Sequence, residues 1–109
     1  MKIAVIGSRN ITHIDWTRVR ASDGDIIISG GARGVDSLAA AHSYVNNLRL
    51  MEIRPDYSRF GRGAPIVRNR LIVDAADRVV AFWDGKSKGT LFTINHARKC
   101  GKEVEVVNC

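Results

Sequence analysis

Ile26-Ile27-Ile28-Ser29 runs directly into Gly30-Gly31-Ala32-Arg33-Gly34, and this junction of an apolar run with a glycine-rich turn constrains the fold more than any other stretch. A short run that is apolar at consecutive positions reads as a strand buried on both faces, which requires a parallel sheet covered by helices. The pattern recurs. Lys2–Ile6 ends at Gly7, Arg78–Trp83 ends at Asp84-Gly85, and Glu103–Val107 forms a last strand. Leu50–Arg54 is a weaker strand that Pro55 closes.

Helical signals separate these runs. Thr12 and Asp15 resemble a capping box and predict a short helix to about Arg20. After Gly34, residues Val35, Leu38, His42 and Val45 recur at helical spacing and are expected to face the sheet. A loop over Asp56–Gly63 leads to a helix that starts near Pro65 and runs to about Ala76. The last helix is predicted from Thr90 to about Lys99, with Leu91, Ile94 and Ala97 inward and Gly101 as its stop.

Strands alternating with helices throughout predict one α/β Rossmann-like domain over residues 1–109: three layers around a mainly parallel sheet of about five strands. Right-handed crossovers lead to the strand order 3-2-1-4-5. Ligands of such sheets collect beyond the carboxyl ends of the strands, where the order reverses. Three loops are expected to converge there: Gly7-Ser8-Arg9, Gly30–Gly34 and Asp84–Thr90.

Hydrophobic residues make up 45% of the chain, enough for a core, yet no apolar run reaches the ~20 residues of a membrane span. The apolar stretch after Met1 is too short for a signal peptide, so a cytoplasmic protein without membrane association is expected. Two cysteines without a CxxC pair, Cys100 and Cys109, give no disulfide framework and read as inert thiols. His13, His42 and His96 show no metal-ligand spacing and read as structural, and no metal is expected. The net charge of +6 favours anionic partners. Arg54, Arg59, Arg62, Arg68 and Arg70 cluster in one segment opposed only by Asp56, and arginine gives bidentate contacts to phosphate.

The glycine loops supply the chemistry. Glycine lets a phosphate approach the backbone, and free amides at a helix start favour an anion. The expected phosphate-binding residues are Gly7, Ser8 and Arg9 after the first strand, and Ser29, Gly30, Gly31, Arg33 and Gly34 after the second. Asp36 could pair with Arg33 or bind a ligand hydroxyl. Asp84, Gly85, Gly89 and Thr90 supply the third cradle, Thr90 being equally a plain N-cap. Arg68 and Asn69 lie on a helix that could point over the pocket. Of Phe82 and Trp83, one is expected in the core and the other at the rim.

A dinucleotide fingerprint is absent, because Ser29 would occupy its first glycine position, and a P-loop fails because Val80 stands where its first glycine must be.

Ile28–Asp36, Arg68-Asn69-Arg70-Leu71-Ile72 and Gly89-Thr90 together resemble the SLOG superfamily, and Ala81–Ser87 is similar to its small stand-alone YspA/YpsA-related branch. The superfamily includes the lonely-guy phosphoribohydrolases and DNA-processing protein A. The resemblance spans nearly the whole chain and implies a Rossmann-like fold and a nucleotide-derived ligand. It also implies catalytic or binding roles for Arg68, Gly89 and Thr90, while Thr93 stands where the phosphoribohydrolases carry their catalytic glutamate. Threonine can do neither of the carboxylate's tasks well, activating water or stabilising an oxocarbenium ion, so Asp84 or Asp36 would have to substitute, with Arg68 and Asp84 as the catalytic candidates. The similarity to DNA-processing protein A implies binding of single-stranded DNA around the same pocket, and family members often form homodimers through their helices.

Three functions follow as expectations. The leading one is a domain that senses or sequesters a nucleotide-derived, phosphate-containing small molecule, with no separate cofactor identified. The alternatives are a phosphoribohydrolase that cleaves the N-glycosidic bond of nucleoside monophosphates, and a single-stranded nucleic-acid binder.

Overall fold

Side chains alternate across a strand, so Ile3 and Val5 leave the first strand on one side and Ala4 and Ile6 on the other; such a strand needs cover on both faces. A computed structural model describes all 109 residues and supplies that cover. Strands β1 (Lys2–Gly7), β2 (Ile26–Ser29), β3 (Arg49–Glu52), β4 (Arg78–Trp83) and β5 (Glu103–Asn108) form one sheet in the order β3-β2-β1-β4-β5. All four pairings are parallel, with Val5 opposite Val80 and Gly7 opposite Phe82. Order and strand direction agree with the expectation from the sequence.

Helix α1 (Val35–Val45) packs on one face, where Ile3, Val5, Ile27, Val80 and the fully buried Phe82 meet Val35 and Ala39. Helices α3 (Ala64–Ala75) and α4 (Lys88–Lys99) cover the other, where Ala4, Ile6, Ile28 and Ala81 meet Ile72, Val73, Ile94 and Ala97. A one-turn helix, α2 (Tyr57–Phe60), interrupts the expected arginine loop. Asp56 caps it, its carboxylate accepting from the Arg59 amide at 3.2 Å. No helix is long and apolar enough to cross a membrane.

Local departures have physical reasons. The helix expected from Thr12 is a single 3-10 turn, Trp16–Val19, capped by Asp15, which accepts from the Thr17 amide at 3.1 Å. Ile11, Ile14 and Val19 are spaced to plug the α1 face of the sheet rather than to line one side of a longer helix. In α1, Val45 is 77% exposed, while Asp36, Ala39 and Ser43 lie inward. Ser43 is buried at little cost, because its hydroxyl donates to the Ala39 carbonyl at 2.7 Å. Helix α4 begins at Lys88 rather than Thr90, with Ser87 as its N-cap; Leu91 turns outward, and Thr90 and Thr93 turn inward. Strand β3 is exposed along its whole length at the sheet edge.

Candidate functional site

Because the strand order reverses between β1 and β4, the loops at their carboxyl ends diverge and leave a crevice. The loop after β1 holds its neighbours on both sides. Ser8 Oγ accepts from the Asp84 amide at 3.3 Å, and the Ser8 carbonyl accepts from the Val35 amide at 3.5 Å. The crevice is a cleft of about 390 Å³. The β1 and β2 loops line it with Gly7, Ser8, Arg9, Asn10 and Gly30, and the helices line it with Asp36, Arg68, Asn69, Ser87, Gly89 and Thr90.

Glycine permits this convergence by close approach. A β-carbon on Gly7 would run into the Phe82 carbonyl oxygen and lie 2.5 Å from Val35 Cγ2. At Gly34, φ is +75°, and a β-carbon would overlap the Arg9 backbone, 2.6 Å from its Cα. These two glycines therefore serve close packing within the chain itself. Several amides of the expected cradles are likewise occupied by the chain itself. The Gly31 amide donates to Ser29 Oγ at 3.3 Å, and the Ala32 amide donates to Asp36 Oδ2 at 3.1 Å. Across the cleft, Asp84 Oδ1 accepts from the Lys86 and Ser87 amides at 2.8 Å, and Ser87 Oγ accepts from the Thr90 amide at 3.3 Å. The positive charge of the site therefore comes chiefly from side chains.

Arg68 is the buried member of that charge, at 7% exposure. Its Nη1 donates to the Gly30 carbonyl at 2.6 Å and its Nε to Asn69 Oδ1 at 2.8 Å, which fixes the guanidinium at the cleft wall. Burial pulls its pKa down from the ordinary value, and the Asp36 charge opposes that pull. Burial pushes the Asp36 carboxyl up, against the Ala32 amide and the Arg68 charge, which lower it. A β-carbon at Gly30 would lie 2.6 Å from Arg68 Nη1 and 2.9 Å from Asp36 Oδ2, so this glycine makes room for the pair. Asp36 is the sole carboxylate that lines the cleft. Thr93 also lines the cleft, its hydroxyl donating to the Gly89 carbonyl at 3.0 Å and so turned to its own helix.

The cleft does not end at Arg68. Arg9, Gly30, Ala32 and Arg68 are shared with a second hollow of about 460 Å³, which Arg33, Arg54, Pro55 and Tyr57 complete. The Arg54 side chain lies across Gly31, with its Cγ 3.0 Å from where a β-carbon would be, and its Nη2 pairs with Glu52 at 2.8 Å. Tyr57 is 57% exposed there.

Of the residues singled out in the sequence, Gly7, Ser8, Arg9, Gly30, Asp36, Arg68, Asn69, Gly89 and Thr90 come together in the cleft. Gly31 and Arg33 line the second hollow instead. Ser29 is fully buried beneath the loop, Gly34 packs on Arg9, and Asp84 and Gly85 form the turn behind Ser87. Phe82 is core, and Trp83 is half-buried with Nε1 donating to the Ser87 carbonyl at 3.0 Å. Asn10, Ser87 and Tyr57 were not singled out as site residues. Ser87 stands three residues before Thr90 and takes the N-cap role that the sequence analysis gave to Thr90; Tyr57 carries no signal of its own.

No family model matches the chain. The gene 61 protein of Mycobacterium phage D29 is 32% identical over 95 residues, which cover 82% of this chain and 74% of the phage protein. Among solved structures, DNA processing protein A from Helicobacter pylori, described for its single-stranded DNA binding mode, matches with a TM-score of 0.75 at 23% identity. That match covers 97% of this chain but 64% of the Helicobacter chain, so this chain spans less than two thirds of its neighbour.

Proposed function

The chain belongs to the family of the Mycobacterium phage D29 gene 61 protein, and we propose that it binds single-stranded nucleic acid along the carboxyl edge of its sheet. The observation that carries this reading is continuity: Arg9 and Arg68 belong both to the cleft and to the hollow of Arg33, Arg54 and Tyr57. One phosphate group would occupy the cleft, and a polymer backbone could continue past Arg68. Single-strand binders combine such a cationic path with exposed aromatic rings for base stacking, a part open to Tyr57. The fold shared with a protein described as binding single-stranded DNA supports the same reading.

A second reading keeps one observation in its favour. The cleft alone is of a size for a small ligand and has polar groups on several sides, which suits a nucleotide-derived molecule that is sensed or sequestered. Phosphoribohydrolase activity is the least supported. Thr93 is turned to its own helix, and Asp36 is held by the Ala32 amide.

Anisotropy with labelled oligothymidylates of one to twelve nucleotides separates these readings. Affinity is expected to rise with length over the first several nucleotides. It should also fall on the order of tenfold between 50 and 200 mM salt, for two to three neutralised phosphates. Mononucleotide binding as tight as that of the longest strand would replace the polymer reading with the small-molecule one. Absence of binding at low salt would remove both.

A further inference from the structure

Outside the cleft, α4 carries His96 and Cys100 four residues apart, which puts both side chains on one face of the helix, one turn from each other. Helix α3 brings Asp74 against them. The imidazole Nε2 lies 3.6 Å from Cys100 Sγ and 3.8 Å from Asp74 Oδ1, and the three donor atoms all fall within 4.8 Å of one another. We propose that Asp74, His96 and Cys100 form a binding site for zinc or a similar borderline-soft divalent cation, which staples α3 to α4.

Geometry supports the choice of ion. With Zn–S near 2.3 Å and Zn–N near 2.0–2.1 Å, a tetrahedral ion holds sulfur and nitrogen about 3.5–3.6 Å apart, the separation seen here. The corresponding oxygen–nitrogen spacing is about 3.3–3.4 Å and the oxygen–sulfur spacing about 3.5–3.6 Å, so the exposed Asp74 carboxylate needs to move about half an ångström toward the imidazole and up to about 1.2 Å toward the thiolate. A thiolate with an imidazole selects zinc over magnesium or calcium, which take oxygen ligands.

The surroundings fit a fixed site. The His96 ring is stacked on Phe92, with planes 2° apart, which limits its rotation. Cys100 is the C-cap of α4, where the helix dipole favours a cation, and Gly101 with φ +74° ends the helix there. The nearby cations other than the exposed Lys99, which follows His96 by three residues, are directed elsewhere. Arg98 projects on the far side of the helix from His96 and Cys100, Lys102 Nζ donates to the Ala76 carbonyl at 2.8 Å, and Arg70 lies over Phe92. Three protein ligands leave the fourth position to water. Binding exchanges the Cys100 thiol proton for the metal, and that proton goes to solvent.

Cobalt titration of the reduced full chain tests the site. One equivalent of Co2+ is expected to produce a thiolate-to-cobalt charge-transfer band in the near ultraviolet. Cys100→Ser should abolish the band, His96→Gln and Asp74→Asn should weaken cobalt affinity more than about tenfold, and Cys109→Ser should leave it intact. Zinc supplied about a hundredfold above its Kd should raise the thermal midpoint of the parent chain by roughly 10 °C and leave Cys100→Ser unmoved. No charge-transfer band in the parent chain, an undiminished band in Cys100→Ser, or equal zinc stabilisation of the two would overturn the proposal.

Discussion

In the turn after β2, a β-carbon at Gly30 would lie 2.6 Å from Arg68 Nη1, whereas in the turn after β4 one at Gly85 or Gly89 would meet no atom within 4 Å. The two turns face each other across one cleft and read alike in the sequence as glycine-rich loops that lead into helices. The first is filled by its own protein. Gly34 sits on the Arg9 backbone, and the Ala32 amide is taken by a buried carboxylate. The second stands open to solvent, and its carboxylate, Asp84, folds back on the turn. A glycine-rich loop therefore marks a place where something approaches the backbone closely, and the approaching group is as readily another loop as a phosphate.

The largest effect is expected at Gly34. Gly34→Ala combines a strained left-handed backbone with overlap against Arg9, and should cost about 2–5 kcal/mol in urea unfolding. A loss below about 1 kcal/mol would erase the distinction between the packed turn and the open one. Next comes the side chain on the other partner of that contact. Arg9 is exposed, so Arg9→Ala should leave stability within about 0.5 kcal/mol of the parent. Oligonucleotide binding should nonetheless weaken about ten- to hundredfold, the worth of a charged hydrogen bond. Unchanged affinity would move the phosphate site away from the shared boundary of the two hollows.

The carboxylates of the two turns should differ in sign. Burial raises the Asp36 pKa, so between its ordinary value of 3.8 and the raised folded value the native chain holds a proton that the unfolded chain has released. The stability from Asp36 is then full below the ordinary value and is lost as pH rises through the folded one. The Ser87 and Lys86 amides lower Asp84, whose contribution is present above 3.8 and is lost as pH falls through its depressed folded value. Measured against the parent chain, Asp36→Asn should thus become relatively more stable as pH rises from about 4, and Asp84→Asn as pH falls below about 4. Parallel pH profiles for the two variants would contradict the contrast. The smallest effect belongs to Gly89→Ala in the first turn of α4. With open space around it, alanine should stabilise the chain by as much as about 0.5–1 kcal/mol. If phosphate approaches that backbone, affinity should fall at the same time.

Strand order was legible because consecutive apolar residues such as Ile27 and Ile28 demand cover on both faces, and chain order with right-handed crossovers leaves few arrangements. Inward helix faces were only half legible. Val35, Ile94 and Ala97 lie inward as expected, but large apolar side chains guided the expectation, so Val45 and Leu91 were placed inside, where the small Ala39 and Ser43 and the cleft-lining Thr90 and Thr93 are buried instead. The residues singled out in the sequence lie along one edge of the sheet. Their sorting into cleft, hollow and support was not legible, because it depends on which amides and carbonyls meet across loops far apart in sequence. Arg68 was expected to reach over the pocket, but its anchor on Gly30, 38 positions away, leaves no trace in the local pattern. His96 and Cys100 were legible at helical spacing, yet histidines compared only with one another conceal it.

At position 9 the main chain and the side chain answer to different demands. The peptide backbone acts as a keystone, wedged under Gly34, while the guanidinium beyond it is free to change. Related chains could therefore exchange that one group for another, and on the proposed function shift which anion they favour, without disturbing the arch that holds it.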